Sequence, residues 1–164
     1  MLTQDKIQAI FIPLLKESGL KCAKKQNIWA RVAAEGELIT TITADGLETS
    51  NIAHKGDMIV KNQTIAKEMY VMKPSSFEQR YASYDEALSD SDGFQEYTPI
   101  GKIWALLMDA TLLYSLNLPE EFYFEAPWGS SMICKENDYL VCPPDFSQVY
   151  RIARKEFFET YKFL

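Results

Sequence analysis

The stretch from residue 56 to 81 is written twice in this chain, and that repetition restricts the folds open to it. The first copy reads Gly-Asp-Met-Ile-Val, a polar turn, Tyr70, then Phe77 and Tyr81. The second, over 137–161, reads Asn-Asp-Tyr-Leu-Val, a polar turn, Tyr150, then Phe157 and Tyr161. Asp57 aligns with Asp138, Val60 with Val141, Tyr70 with Tyr150, Phe77 with Phe157 and Tyr81 with Tyr161, with a gap of a single residue. Self-similarity of this kind implies one supersecondary unit used twice. Positions common to both copies are expected to serve the scaffold, and function is to be sought where the copies differ.

Each copy reads as an antiparallel meander closed by a short helix. In the first, strands are expected over 27–33, 38–43, 47–53, 58–60 and 68–72, with turns at Ala44-Asp45-Gly46 and His54-Lys55-Gly56-Asp57. Ser75 and Glu78 have capping-box spacing for a helix that presents Phe77 and Tyr81. In the second, strands are expected over 121–125, 132–134, 138–142 and 149–153, with Pro127-Trp128-Gly129 as a turn. Two longer helices complete the plan. Residues 3–18 carry Ile7, Ile10, Phe11, Leu14 and Leu15 at helical spacing, with Thr3 as N-cap, a kink or break at Pro13 and a stop at Gly19. Residues 100–116 carry a wide stripe of Ile103, Leu106, Leu107, Ala110, Leu113 and Tyr114. The expected fold is α+β: two degenerate antiparallel β-meander plus short-helix repeats packed with two longer helices. The expected division is 1–82, an acidic linker over 83–98, and 99–164.

A net charge of −6 argues against a phosphate-backbone partner, which needs a basic surface. At 47% hydrophobic, the 164 residues can build a real core. Cys22, Cys134 and Cys142 are odd in number and lack ligand spacing, so buried free thiols in a reducing cytoplasm are expected. The apolar run 7–15 is too short to span a membrane. No membrane partner and no cofactor or metal are expected. Asp90-Ser91-Asp92-Gly93 has part of a calcium-loop spacing, but Leu88 stands at the first ligand position and no glutamate closes the loop.

The repeated Asp57 and Asp138 are read as turn residues, and Tyr70, Tyr81, Tyr150 and Tyr161 as anchors of strands to helices. His54 has no duplicate and no triad-like context. The polar set Arg31, Glu48, Thr49 and Asn51 in the first copy, with Glu125 and Trp128 in the second, forms the candidate binding surface. No catalytic residue is singled out.

The pieces Glu48-Thr49-Ser50-Asn51-Ile52-Ala53, Gly56-Asp57-Met58-Ile59-Val60 and Phe77-x-x-Arg80-Tyr81 resemble a small bacterial and phage module whose hallmark is Pro-Gly-Asp-Tyr/Trp-Leu/Ile-Val followed by a Phe-x-x-x-Tyr tail. Ala126-Pro127-Trp128-Gly129, Asp138-Tyr139-Leu140-Val141 and the tail to Tyr161 resemble longer bacterial members. Lys55, Met58 and Glu136-Asn137 depart from the hallmark. The resemblance implies a scaffold and a phage or prophage context, and brings no chemistry with it. The expected function is a non-catalytic binding or adaptor protein for a protein partner or a small polar ligand, acting through a groove or sheet edge. The alternatives are a small enzyme acting on a nucleotide or modified peptide, with Glu48, Glu125 or His54 as acid–base groups, and a phage-related structural protein.

Overall fold

The computed structural model describes residues 1–84, 89 and 92–164. In chain order the elements are α1 (Gln4–Ser18), β1 (Leu20–Lys24), β2 (Ile28–Val32), β3 (Leu38–Thr43), β4 (Gly46–Ile52), β5 (Met58–Asn62), β6 (Met69–Met72), α2 (Pro74–Arg80), β7 (Tyr81–Ser83), β8 (Gln95–Pro99), β9 (Lys102–Leu107), α3 (Ala110–Ser115), β10 (Glu121–Glu125), β11 (Ser131–Lys135), β12 (Tyr139–Cys142), β13 (Tyr150–Ile152), α4 (Arg154–Thr160) and β14 (Tyr161–Phe163). The fold is α+β.

Two compact units divide the chain. One holds residues 1–22, 102–158 and 163–164; the other holds 23–101 and 159–162. We call them the discontinuous and the central unit. Each described sheet system is one five-stranded sheet and one hairpin. The sheets run β13-β12-β9-β1-β14 and β6-β5-β2-β8-β7, and the hairpins are β10-β11 and β3-β4. Position by position the orders correspond, with one displacement. β1 precedes β2 in the chain yet lies beside β9, and β8 precedes β9 yet lies beside β2.

In the discontinuous unit, α1 turns Ile7, Phe11 and Leu15 into a core with Met108, Phe124, Met132 and Leu140. Their i, i+4, i+8 spacing gives one buried stripe, each side chain contributing about 1.5–3 kcal/mol of burial. Thr3 caps the helix by accepting from the Lys6 N–H at 3.2 Å. Gly19 ends it because a Cβ there would meet the Leu15 carbonyl oxygen at 2.4 Å; its φ of −64° needs no glycine. α1 continues through Pro13 without the expected break.

The central unit buries both faces of its sheet. Met58 and Val60 join Ile28, Ala30 and Phe77 on the α2 side, while Ile59 joins Ile39, Ala53 and Phe94 on the hairpin side. Strand alternation divides the two sets.

Other expectations need correction. Residues 100–116 are not one helix: β9 pairs with β12 along Ala105↔Val141 and Leu107↔Tyr139, and α3 is short. Within 83–98, β8 pairs with β2 and β7, so its residues are sheet; 85–88, 90 and 91 lie outside the described residues, and with them Asp90 and Ser91 of the calcium-like stretch. α2 begins at Pro74 behind an N-cap Lys73 that makes no side-chain cap, so Ser75 is inside the helix. Proline's fixed φ suits that first turn. Among the described residues no helix is long and apolar enough to cross a membrane.

Candidate functional site

The repeated aspartates hold matching turns. Asp57 accepts from the His54 N–H at 2.9 Å, and Asp138 accepts from the Lys135 N–H at 2.8 Å. The residue before each has a left-handed backbone, φ +92° at Gly56 and +70° at Asn137. The carboxylates differ in their cation. Asp57 meets Lys73 Nζ at 3.2 Å near solvent, whereas Asp138 meets the fully buried Arg151 Nε at 2.8 Å and also accepts from the Arg154 N–H. Both aspartates are engaged in holding turns.

Of the sequence-predicted site residues, Arg31 is clamped to Glu37 through two bonds of 2.8 and 2.6 Å. That guanidinium, with the Ala34 N–H, holds the Glu37 carboxyl down at about 2. Thr49 and Asn51 pair with Thr41 and Ile39 on the inner face of the β3–β4 hairpin, and Thr49 is buried. Glu48 is the extra residue of a bulge, because Thr41 pairs with Thr49 while Ile42 pairs with Leu47. Glu125 receives the Gln4 backbone N–H at the start of α1, and Trp128 packs against the core of its unit. His54 pairs with Glu35 at 3.1 Å, both well exposed.

Sequence reasoning missed Lys24. In the central unit its buried Nζ donates to Asn62 Oδ1 at 2.8 Å, to Tyr70 Oη at 2.8 Å and to Tyr81 Oη. The rings of Tyr70, Tyr81 and Tyr161 lie 5.0–6.0 Å from it. Asn62 passes the network on to Glu68 at 2.7 Å, and Glu68 also accepts from Thr64. Burial, with the Arg80 charge, lowers the Lys24 pKa to about 7. Burial also raises the Tyr70 phenol well above its usual range. An ammonium has three N–H groups and here meets three neutral oxygens, so its donors are already used inside the protein. This network stiffens the unit and leaves no donor of Lys24 over for a ligand.

A depression of about 490 Å³ in the discontinuous unit is bordered by Leu20, Leu107, Asp109, Leu112 and Tyr139, among others, and by none of the predicted site residues. Asp109 is occupied there in capping α3 through the Leu112 N–H at 2.8 Å. The three cysteines are free buried thiols. Among the described residues no group of three or more His, Cys, Asp or Glu side chains could hold a metal ion.

The surface that departs from ordinary folding chemistry is the outer face of β3–β4. Leu38, Ile42, Leu47 and Ile52 are 65, 55, 65 and 57% exposed. Leu38 stands opposite Ile52 and Ile42 opposite Leu47, with Thr40 and Ser50 between them. The bulge makes this possible: in a regular strand Leu47 would share the inner face with Thr49, and the extra Glu48 returns it to the face of Ile42. The corresponding face of β10–β11 pairs Glu121 with Lys135, Tyr123 with Ile133 and Glu125 with Ser131. Only the central unit's hairpin bares an aliphatic strip there.

No family model matches the chain, and neither the curated proteins nor the solved structures contain one similar to it.

Proposed function

We propose that this chain is a non-catalytic protein-binding or adaptor module whose contact surface is the outer face of β3–β4. The observation that carries the reading is the strip of four exposed aliphatic side chains in cross-strand pairs. Contiguous exposed apolar surface marks an interaction site far better than scattered single residues do. A flat aliphatic strip suits a protein surface better than a small polar ligand, which needs a concave site with convergent polar groups. The contrast with β10–β11 supports the choice, since that face sets charged or polar rows on either side of Tyr123 and Ile133 where β3–β4 has aliphatic rows. An adaptor is the form we favour, in a cytoplasmic setting and without nucleic acid, membrane or cofactor. The reading also makes Glu48 matter as the bulge that sets Leu47, with no part in acid–base chemistry.

The test compares capture from a native lysate by the wild-type chain and by Ile42→Lys, with bound proteins identified by mass spectrometry. Loss of specific partners from the variant is expected. An unchanged set of captured proteins would sink the proposal.

A further inference from the structure

We propose that Lys24, Tyr70 and Tyr81 form a proton-operated switch inside the central unit. With Lys24 as an amine, one phenol donates to Nζ; when Nζ takes a proton from solvent, a phenol must turn its own hydrogen outward. The argument is a count of hydrogens. Four contacts join the cluster: Nζ to Asn62 Oδ1 at 2.8 Å, Nζ to Tyr70 Oη at 2.8 Å, Nζ to Tyr81 Oη, and Tyr70 Oη to Tyr81 Oη at 3.1 Å. Each contact holds one hydrogen. An amine brings two and the phenols one each, so the contacts are filled, with the Nζ lone pair accepting from one phenol. An ammonium brings a third, which is one hydrogen too many for the same contacts. Asn62 offers the cluster only its carboxamide oxygen, since its Nδ2 donates to Glu68 Oε1 at 2.7 Å. One phenol hydrogen therefore points out of the cluster whenever Lys24 is charged.

The surroundings bring this change close to neutral pH. Lys24 is buried and its three hydrogen-bond partners are neutral. The ionisable groups that face it are Tyr70 on β6, Tyr81 on β7, Tyr161 on β14, Arg80 at the end of α2 and Glu68 just before β6. Both Glu68 oxygens are taken, one by Asn62 and one by Thr64. Burial and the Arg80 charge favour the amine, Glu68 favours the ammonium, and the balance falls at about pH 7. The Tyr70 phenol, raised by its own burial, keeps its proton throughout. The two phenols belong to β6 and β7, the edge strands of the five-stranded sheet. The proton thus acts on the link that ties one edge of that sheet to the other.

The experiment is NMR of the full chain with isotope-labelled lysine Nζ and tyrosine Cζ, titrated from about pH 5 to about pH 10. Lys24→Met, Tyr70→Phe and Tyr81→Phe assign the signals, and circular dichroism checks that each is folded. The Lys24 Nζ signal is expected to pass from ammonium to amine with a midpoint of about 7, roughly three units below an exposed lysine. Tyr70 or Tyr81 Cζ should step at the same midpoint, and Lys24→Met should lose that step. Tyr161 is the internal control, since its ring feels the charge at 6.0 Å but lies outside the four contacts. The reversed hydrogen bond makes the Tyr70 or Tyr81 step at least about twice that of Tyr161. A Nζ that stays charged to about pH 9 overturns the inference. So does a Nζ that titrates while Tyr70 and Tyr81 step no more than Tyr161. Should Lys24→Met fail to fold, the matched midpoints of the wild type decide without it.

Discussion

Each unit buries a cation, and the two are treated in opposite ways. Arg151 lies fully buried against the buried Asp138, so its charge is answered by a charge. Lys24 is buried against two phenols and a carboxamide, so its hydrogen bonds run to dipoles rather than to a charge; burial, with Arg80, outweighs the favourable charge of Glu68 beyond Asn62, and its pKa falls to about 7. Both cations are held by hydrogen bonds; only the first keeps a full ion pair. One strand-and-turn plan thus tolerates quite different polar interiors. Its outer hairpin face is equally free to vary.

The most severe way to break this comparison is Asp138→Ala. It takes the carboxylate at 2.8 Å away from the buried Arg151 Nε and removes two backbone caps, with an expected loss of about 3–5 kcal/mol by urea unfolding. Asp57→Ala removes the same kind of turn bond but frees only a largely exposed Lys73, so about 1–2 kcal/mol is expected. Equal losses at the two sites would mean that the cation's burial does not matter.

The Lys24 arrangement makes its own prediction about pH. Its folded pKa, about 7, lies below the unfolded value of about 10.4. The unfolded chain therefore binds the extra proton between those values, and stability rises with pH across that window. The penalty is complete below about pH 7 and fades towards the unfolded pKa. Lys24→Met should flatten the rise, by up to a few kcal/mol across the window, when unfolding free energies of variant and wild type are subtracted at each pH. A variant that keeps the wild-type slope would show that another group titrates there.

The smallest effects concern the left-handed turn position. Gly56→Ala meets no neighbouring atom but must hold φ +92°, so a loss of about 1–2 kcal/mol is expected. Asn137→Gly should change stability by less than about 1 kcal/mol, because asparagine already tolerates that conformation. Thermal melts of both variants would check the pair.

Much of the central unit was legible because its strands alternate cleanly between turns carrying glycine or aspartate. The hairpin at Asp45-Gly46, the turn aspartates and the buried thiols all follow from local chemistry. β9 was not legible. Ile103, Leu106, Leu107 and Ala110 fit a helix period, yet Ile103 and Ala105 are buried at strand period, and pairing with β12 decides between them. β1 was hidden for a different reason. Lys21, Lys24 and Lys25 give it no apolar alternation, and only tertiary structure shows that Lys24 is buried among tyrosines. In the β3–β4 hairpin polarity drew attention to Glu48, Thr49 and Asn51, while the bulge that exposes Leu47 depends on a register no single strand reveals.

The displaced first strands have a consequence for the order of events during synthesis. α1 and β1 are synthesised before the strands they dock with: the core that receives α1 begins at Met108, and the strands flanking β1 are β9 and β14. The central unit, whose hairpin and sheet strands β2–β8 run consecutively, can form while the head of the chain still waits for its tail. Until the segment from Met108 to Val149 is made, Ile7, Phe11 and Leu15 belong to a nascent segment with its apolar stripe uncovered, the state in which a chain most needs a chaperone.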